Sequence, residues 1–220
     1  MLKIANFSAV IFDMDGLVLD TEATYFIAWQ QAAAMLGYTL SDAFCYSLSG
    51  LNGQAIREKL LAECGDNFDL QGFNKTATSQ WRKHINDNGI AVKQGFKELL
   101  AFIVEQQLPY CLATNSRTAN ALECLELAGL SDSFTTIISR DNVEHSKPAP
   151  DIFLKAADFL QVSIQHCLVL EDSHTGIVAA KLAGAFSVYV PSNAPINPLT
   201  LEHCDAMHSD LLQVLESLRA

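Results

Sequence analysis

The sequence predicts an α/β protein in which a doubly wound parallel sheet carries a helical domain inserted after its first strand. Strand-like and helical segments alternate from about Gly95 onward, a pattern typical of a parallel sheet with helices on both faces. The long segment between the first strand and this region has helical periodicity and no convincing strand. With 220 residues, half of them hydrophobic, the chain is long enough to bury a core of this kind.

The first strand is predicted at Val10, Ile11 and Phe12, an apolar run that ends at Asp13. Side chains alternate along an extended chain, so Asp13 and Asp15 are expected to lean toward the same side. Two carboxylates this close repel, so they need a cation or a shared proton, or at least one has a raised pKa. A simpler interpretation is that acidic residues and a glycine only mark the exit from a strand. Both interpretations stand at this point.

The alternating region contains four further predicted strands, each flanked by helices. The strands are predicted in PYCLATN, FTTIISR, HCLVLED and FSVYV, and the helices in GFKELLAFIVEQQ, TANALECLELAGL, PDIFLKAADFL, GIVAAKLAG and LLQVLESL. Together with the first strand they form a Rossmann-like core, which we assign to residues 1–19 and 90–220.

Residues 20–89 are assigned to an inserted helical cap. The segments EATYFIAWQQAAAML and GQAIREKLLAEC place apolar residues at helical spacing and stop at Gly37 and Gly65. A third helix is predicted through KTATSQWRKHIND. The first strand leaves the sheet at its carboxyl end, where open α/β sheets bind ligands, so the insertion is expected to cover the carboxylates.

Two further groups of polar residues lie just ahead of predicted helices. Thr114, Asn115 and Ser116 follow the strand CLAT, and a hydroxyl with the backbone N–H groups of a helix start is suited to an anion. The same residues could simply cap the helix. Lys147, in SKPAP, would on its own be a solvated surface charge. Beside an acidic cluster it becomes a candidate phosphate partner.

Two predicted strands end in paired carboxylates. Glu171 and Asp172 follow the apolar run CLVL, just as Asp13 and Asp15 follow the first strand. Helix capping alone does not readily explain two such pairs at one edge of a sheet. Four carboxylates in one place imply a hard cation with oxygen ligands, and Mg²⁺ fits best.

In this order the motifs resemble those of the haloacid dehalogenase superfamily. They are DMDGLVLDTE, Thr114 in ATNS, Lys147 in SKPAPDIF, and EDSHTGIVAA, and they span nearly the whole chain. The insertion is similar to the small helical cap of the subfamily that includes β-phosphoglucomutase, phosphoglycolate phosphatase and sugar-phosphate phosphatases. The resemblance implies a Mg²⁺-dependent phosphoric monoester hydrolase that acts on a small phosphorylated metabolite, such as a sugar phosphate.

The resemblance also implies a role for each site residue. Asp13 would be the nucleophile that forms an aspartyl phosphate, and Asp15 would be the general acid and base. Thr114 and Lys147 would hold the phosphate oxygens during catalysis. The assignments are completed by the metal ligands Asp13, Asp15 (through its backbone carbonyl), Glu171 and Asp172, and by the substrate-binding residues Thr114, Asn115, Ser116, Lys147, Gly50 and Asn52.

A phosphomutase of the same family is the nearest alternative. Such mutases are expected to hold a second phosphate with an arginine of the cap loop and to carry a histidine in the first cap helix. Here Asn52 and Gly53 stand in place of the arginine, and Arg57 lies a helical turn later. Tyr25 stands in place of the histidine. Both departures favour the phosphatase, and the presence of Asp15 argues against a dehalogenase.

A receiver-like signalling module, which also accepts a phosphoryl group on an aspartate, is a remote alternative because such modules are shorter and have no helical insertion.

The net charge of −11 argues against a nucleic-acid partner. The six cysteines fall singly, with no CxxC pair, as expected for reduced thiols. No segment has the length of a membrane span. We therefore expect a cytoplasmic monomer without nucleic-acid or membrane partners.

Overall fold

The computed structural model describes residues 2–48, 51, 53–192 and 196–220. Within them the chain forms two compact units. One contains the residues up to Asp20 together with Ala91–Ala220, and it carries the sheet. The other is Thr21–Ile90, whose described residues form helices joined by turns and loops.

Six strands of the described residues form one parallel sheet with the order β3-β2-β1-β4-β5-β6. The strands are β1 (Ala9–Phe12), β2 (Tyr110–Thr114), β3 (Ile137–Ser139), β4 (Cys167–Glu171), β5 (Phe186–Tyr189) and β6 (Ala206–Met207). Phe12, at the end of β1, lies opposite Leu112 of β2 and Leu170 of β4. The carboxyl ends of the three central strands therefore lie at one level, and the predicted parallel α/β fold is confirmed.

The helices of the described residues fall into the same two groups as the compact units. Those of the helical unit are α1 (Thr21–Met35), α2 (Asp42–Tyr46), α3 (Gly53–Cys64) and α4 (Leu70–Asn88). Those of the sheet unit are α5 (Phe96–Glu105), α6 (Thr118–Leu127), α7 (Asp151–Phe159), α8 (His174–Ala183), α9 (Pro198–Leu201) and α10 (Leu211–Arg219). The sequence pattern did not predict α2, α9 and β6. Each spans five residues or fewer, which is too short for a periodic signal.

The central strand β1 is buried on both faces. Ile11 belongs to a core cluster that includes Phe153 of α7. Phe12 points to the opposite face, where its ring centroid lies 5.7 Å from that of Phe96 in α5 and 5.8 Å from that of Phe134. Helices therefore cover both faces of the sheet, which explains the uninterrupted apolar run before Asp13.

The helical unit has its own core, built around α1 and α4. The ring of Tyr25 stacks on Trp81, with centroids 5.1 Å apart, and on Trp29, with centroids 6.1 Å apart. Trp81 is almost fully buried, and its Nε1 donates a hydrogen bond of 2.9 Å to Thr24 Oγ1. Burial of aromatic area with a satisfied indole N–H fixes the two helices against each other.

None of the helices among the described residues combines the length and apolar character that crossing a membrane requires.

We predict that Asp210→Ala lowers the free energy of unfolding by about 1 kcal/mol, as loss of an N-cap does. The carboxylate of Asp210 caps α10 by accepting a hydrogen bond of 2.9 Å from the backbone N–H of Gln213. That bond holds the pKa of Asp210 below its usual value. Chemical denaturation at neutral pH measures the loss.

Asp210→Asn keeps the acceptor and removes the charge, so it is the matched control. Because the folded-state pKa is lowered, the charge stabilises the protein above the ordinary pKa of an aspartate. This stabilisation is lost as the pH falls through the folded-state pKa. The difference between wild type and Asp210→Asn should therefore shrink in acid. Equal stability of wild type and the alanine variant at neutral pH would contradict the capping role.

Candidate active site

The candidate site is formed where loops leave the carboxyl ends of β1, β2 and β4. Asp13 directly follows β1, and its backbone N–H donates a 3.0 Å hydrogen bond to the carbonyl of Leu170 in β4. Thr114 is the last residue of β2, and Glu171 is the last residue of β4. Lys147 comes from the loop before α7. Four polar side chains are therefore buried at this edge of the sheet, those of Asp13, Thr114, Lys147 and Glu171.

The ammonium group of Lys147 joins these loops. Its Nζ donates hydrogen bonds to Asp13 Oδ1 at 2.5 Å, Glu171 Oε1 at 2.6 Å and the carbonyl of Ala113 at 2.8 Å. The side chain is 2% exposed, and Nζ lies 4.9 Å from the ring centroid of Phe153. An ammonium group has three N–H donors, and all three are used here. Contact of Lys147 with a phosphate oxygen would therefore require exchange of one of these bonds.

Asn115 holds the backbone of Lys147. Its side-chain oxygen accepts a hydrogen bond of 3.0 Å from the Lys147 N–H, and its side-chain nitrogen donates one of 3.3 Å to the Lys147 carbonyl. Sequence reasoning placed Asn115 among the substrate-binding residues and missed this contact. The two residues are 32 positions apart, and no local pattern signals such a pairing.

The carboxylate of Asp15 contacts a different set of groups. Its Oδ2 accepts hydrogen bonds from Ser116 Oγ at 2.8 Å and from Thr114 Oγ1 at 3.3 Å. Thr114 Oγ1 also accepts one of 3.0 Å from the Ser116 N–H. Asp13 and Asp15 are two positions apart, yet the hydrogen bonds to their carboxylates come from different groups. Lys147 binds Asp13, whereas the hydroxyls of Thr114 and Ser116, at the carboxyl end of β2, bind Asp15.

The loop after β2 does not cap α6 in the way that the capping interpretation requires. The N-cap position of α6 is Arg117, and no side chain caps the helix there. The N–H of Thr118, the first residue of α6, donates a hydrogen bond of 2.9 Å to Asp141 Oδ2. That N–H is therefore already used by a carboxylate of the protein, and it is not available to a bound phosphate unless this bond is broken.

Three buried carboxylates form an acidic cluster. Ligand oxygens of Asp13, Glu171 and Asp172 lie within 4.8 Å of one another. Three carboxylates against one ammonium, that of Lys147, leave two negative charges uncompensated if all are ionised, and buried charges without partners are costly. Carboxylate oxygens at this spacing fit a hard divalent cation. The side chain of Asp15 is not part of this cluster, which agrees with a contribution through its backbone carbonyl alone.

Glu171 accepts hydrogen bonds on both of its carboxylate oxygens. Its Oε1 accepts from Lys147, and its Oε2 accepts from the N–H of Ser173 at 3.1 Å and from Ser173 Oγ at 2.9 Å. Its side chain is completely buried. These contacts fix the orientation of the carboxylate that receives Lys147.

The site perturbs the pKa of both partners of its central ion pair. Burial, with the nearby charges of Glu171 and Asp15, raises the pKa of Asp13 well above its usual value, and Lys147 only partly opposes this. Burial alone would lower the pKa of Lys147, but the carboxylates of Asp13 and Glu171 raise it above its ordinary value. A divalent cation in the acidic cluster would favour the ionised form of Asp13.

Gly16 allows the first loop to approach the acidic cluster. Its φ is +85°, in the left-handed region that favours glycine. A Cβ at this position would lie 2.0 Å from Asp172 Oδ2. The sequence indicated only a glycine at a loop, whereas the structure requires one here for both its conformation and its close approach.

The predicted substrate-binding residues Gly50 and Asn52 lie outside the described residues, and their role stays a prediction.

The chain is similar to known hydrolases over most of its length. The family model described as haloacid dehalogenase-like hydrolase matches residues 10–190. A phosphorylated carbohydrates phosphatase of Thermotoga maritima is 30% identical and covers 82% of this chain and 83% of its own length. A β-phosphoglucomutase of Bacillus subtilis is 31% identical, covering 86% and 85% respectively. A haloacid dehalogenase hydrolase structure from Entamoeba histolytica, family IA variant 3, superposes with a TM-score of 0.79 at 28% identity, covering 96% of this chain and 98% of the other. The resemblance drawn from the four sequence motifs is confirmed, and the chain belongs to the haloacid dehalogenase-like hydrolases.

Proposed function

We propose that this enzyme is a Mg²⁺-dependent phosphatase that hydrolyses a small phosphorylated sugar or similar metabolite through an aspartyl phosphate on Asp13. One observation carries the proposal: the buried Asp13 carboxylate is held by Lys147 within an acidic cluster, while Asp15 lies next to it on separate hydroxyl partners. The similarity to a phosphatase named for phosphorylated carbohydrates supports the substrate class.

The proposal keeps the domain and partner assignments made from the sequence. Residues 1–19 and 90–220 form the catalytic core and residues 20–89 form the cap, in a cytoplasmic monomer without nucleic-acid or membrane partners. Gly50 and Asn52 of the cap loop would contact the part of the substrate that carries no phosphate.

In the first chemical step, a carboxylate oxygen of Asp13 attacks the phosphorus atom of the monoester. The phosphorus–oxygen bond to the alcohol breaks, and the departing oxygen takes a proton from the protonated Asp15 carboxyl. Lys147 fixes the attacking carboxylate, because one of its hydrogen bonds goes to Asp13 Oδ1. The step leaves an acyl phosphate on Asp13 and a carboxylate on Asp15.

In the second step, Asp15 takes a proton from a water molecule as the water oxygen attacks the same phosphorus atom. The acyl phosphate bond breaks, which returns the Asp13 carboxylate and releases inorganic phosphate. Asp15 is again protonated, so the cycle is balanced. The short loop from Asp13 to Asp15 allows one residue to act on each side of the phosphorus atom.

Uncatalysed hydrolysis of phosphate monoesters is extremely slow, so charge neutralisation must contribute much of the catalysis. Mg²⁺ would neutralise charge between the carboxylates and the phosphate. The residues proposed to hold it are Asp13, Asp15 through its carbonyl, Glu171 and Asp172. Thr114 and Ser116 are proposed to donate hydrogen bonds to phosphate oxygens. Asn115 is proposed to act indirectly, by holding the backbone of Lys147 in place.

A phosphomutase is retained as a second candidate because the chain is 31% identical to a β-phosphoglucomutase. The absence of the expected arginine and histidine at the positions of Asn52 and Tyr25 favours the phosphatase. A mutase would transfer the phosphoryl group back to the sugar, whereas a phosphatase transfers it to water.

We predict that Asp13→Asn lowers kcat on an aryl phosphate by more than about 10³-fold, because an amide is neither a nucleophile nor a good ligand for a hard cation. Wild-type activity should be lost on chelation and restored by Mg²⁺. Asp158→Asn, an exposed change of the same chemistry in α7, is the control and should leave kcat unchanged. Full activity of Asp13→Asn would falsify the assignment of the nucleophile.

We predict that Asp15→Asn lowers kcat by about 10²–10⁴-fold with little change in KM, because the proton transfer is lost while the phosphate contacts remain. Steady-state kinetics on the same aryl phosphate separates the two parameters. An unchanged kcat with a raised KM would show that Asp15 is a binding residue and not the general acid.

We predict that the enzyme releases inorganic phosphate from a hexose phosphate and does not isomerise it when primed with a hexose bisphosphate. Phosphate release and ³¹P NMR of the sugar phosphates, followed in one reaction, distinguish the two activities. Isomerisation faster than phosphate release would place the mutase ahead of the phosphatase.

A further inference from the structure

Gly176 lies in the first turn of α8, directly against the acidic cluster. The helix follows the N-cap residue Ser173, whose Oγ accepts a hydrogen bond of 3.0 Å from the Gly176 N–H. The φ of Gly176 is not in the left-handed region. Its backbone conformation therefore does not require a glycine, and alanine would be the better helix former.

The space around Gly176 gives a different reason for the glycine. A Cβ at this position would lie 1.9 Å from both the carboxyl carbon and Oε1 of Glu171, and 2.2 Å from its Oε2. Such a side-chain carboxylate could normally move aside. Here Oε1 is held by Lys147, Oε2 is held by Ser173, and the side chain has no solvent-exposed surface to move into.

We infer that Gly176 is a positioning residue of the active site. The missing side chain leaves the volume that the Glu171 carboxylate occupies, and Glu171 holds the Lys147 ammonium against Asp13. A methyl group at position 176 displaces the carboxylate, and through it the lysine and the Asp13 carboxylate. This inference rests on the proposed function, in which Asp13 is the reacting group.

Gly176→Ala should lower kcat on an aryl phosphate by about 10²-fold, the scale of a displacement of about 1 Å at a reacting group. Of the groups assigned to phosphate binding, Lys147 is displaced whereas Thr114 and Ser116 are not, so KM should change less than kcat. Lys181→Ala, an exposed change on the same helix, is the activity control and should match wild type. Unchanged kcat in Gly176→Ala would overturn the inference.

The decisive measurement is a double-mutant cycle between Gly176→Ala and Glu171→Asp. Aspartate is one methylene shorter, so it withdraws its carboxylate from the space that the new methyl group takes. The double variant should therefore be about as active as Glu171→Asp alone, well above the product of the two separate losses. If the two losses simply multiply, the two residues act independently and the inference is wrong.

Thermal unfolding of the same four proteins provides a readout that does not depend on catalysis. Gly176→Ala should lower Tm in the wild-type background and leave it unchanged or raised in the Glu171→Asp background. Gly53→Ala, at a helix glycine where the added Cβ meets nothing within 4 Å apart from its chain neighbours and the helix backbone, gives the effect of the substitution without a clash. A Gly176→Ala protein that folds only together with Glu171→Asp supports the inference equally.

The two proposals fail in different ways. A wild-type protein without phosphatase activity contradicts the proposed function, while the unfolding cycle still tests whether Gly176 makes room for Glu171. An active wild type with additive effects in both cycles contradicts the role of Gly176 alone.

Discussion

The buried ammonium group of Lys147 is the interaction on which the rest of the site depends. It joins the loop before α7 to the ends of β1, β2 and β4 through three hydrogen bonds, two of them to carboxylates. Without this ammonium group, Asp13 and Glu171 would lose a hydrogen-bonded positive partner, and buried ionised carboxylates without one are costly. Two neighbouring contacts help to hold this ion pair in place. Asn115 fixes the backbone of Lys147, and Ser173 fixes the orientation of Glu171.

One lysine does not balance the three carboxylates of the acidic cluster when all of them are ionised. Burial and neighbouring carboxylates raise the pKa of Asp13, whereas the proposed mechanism requires its carboxylate to be ionised. The charge that Lys147 leaves uncompensated is the charge that a divalent cation would neutralise. A parallel sheet permits such a cluster because the carboxyl ends of β1 and β4 lie side by side, so that two pairs of acids far apart in the sequence meet at one edge.

The sequence predicted most of the fold, and it predicted that Asp13, Lys147 and Glu171 come together at one edge of the sheet. Buried strands show as apolar runs, and Asp13, Thr114 and Glu171 could be found because they end such runs.

The contact of Asn115 with Lys147 could not be predicted, since it joins residues on different loops. The need for glycine at position 176 was also hidden, because it depends on the space taken by Glu171 and not on the helix that contains it. The strand β6 was missed because two residues carry no period.

The hydroxyls of Thr114 and Ser116 have two roles, and a hydroxyl that fills one of them cannot fill the other at the same time. In this structure Ser116 and Thr114 donate to the carboxylate of Asp15, and under the proposed function they donate to phosphate oxygens. A hydroxyl donates one hydrogen bond at a time. A phosphate that takes these donors therefore removes two hydrogen bonds that hold the carboxylate of Asp15 in this structure. The Asp15 carboxyl then loses two of the contacts that fix its position, and under the proposed function this is the group that passes a proton to the departing oxygen.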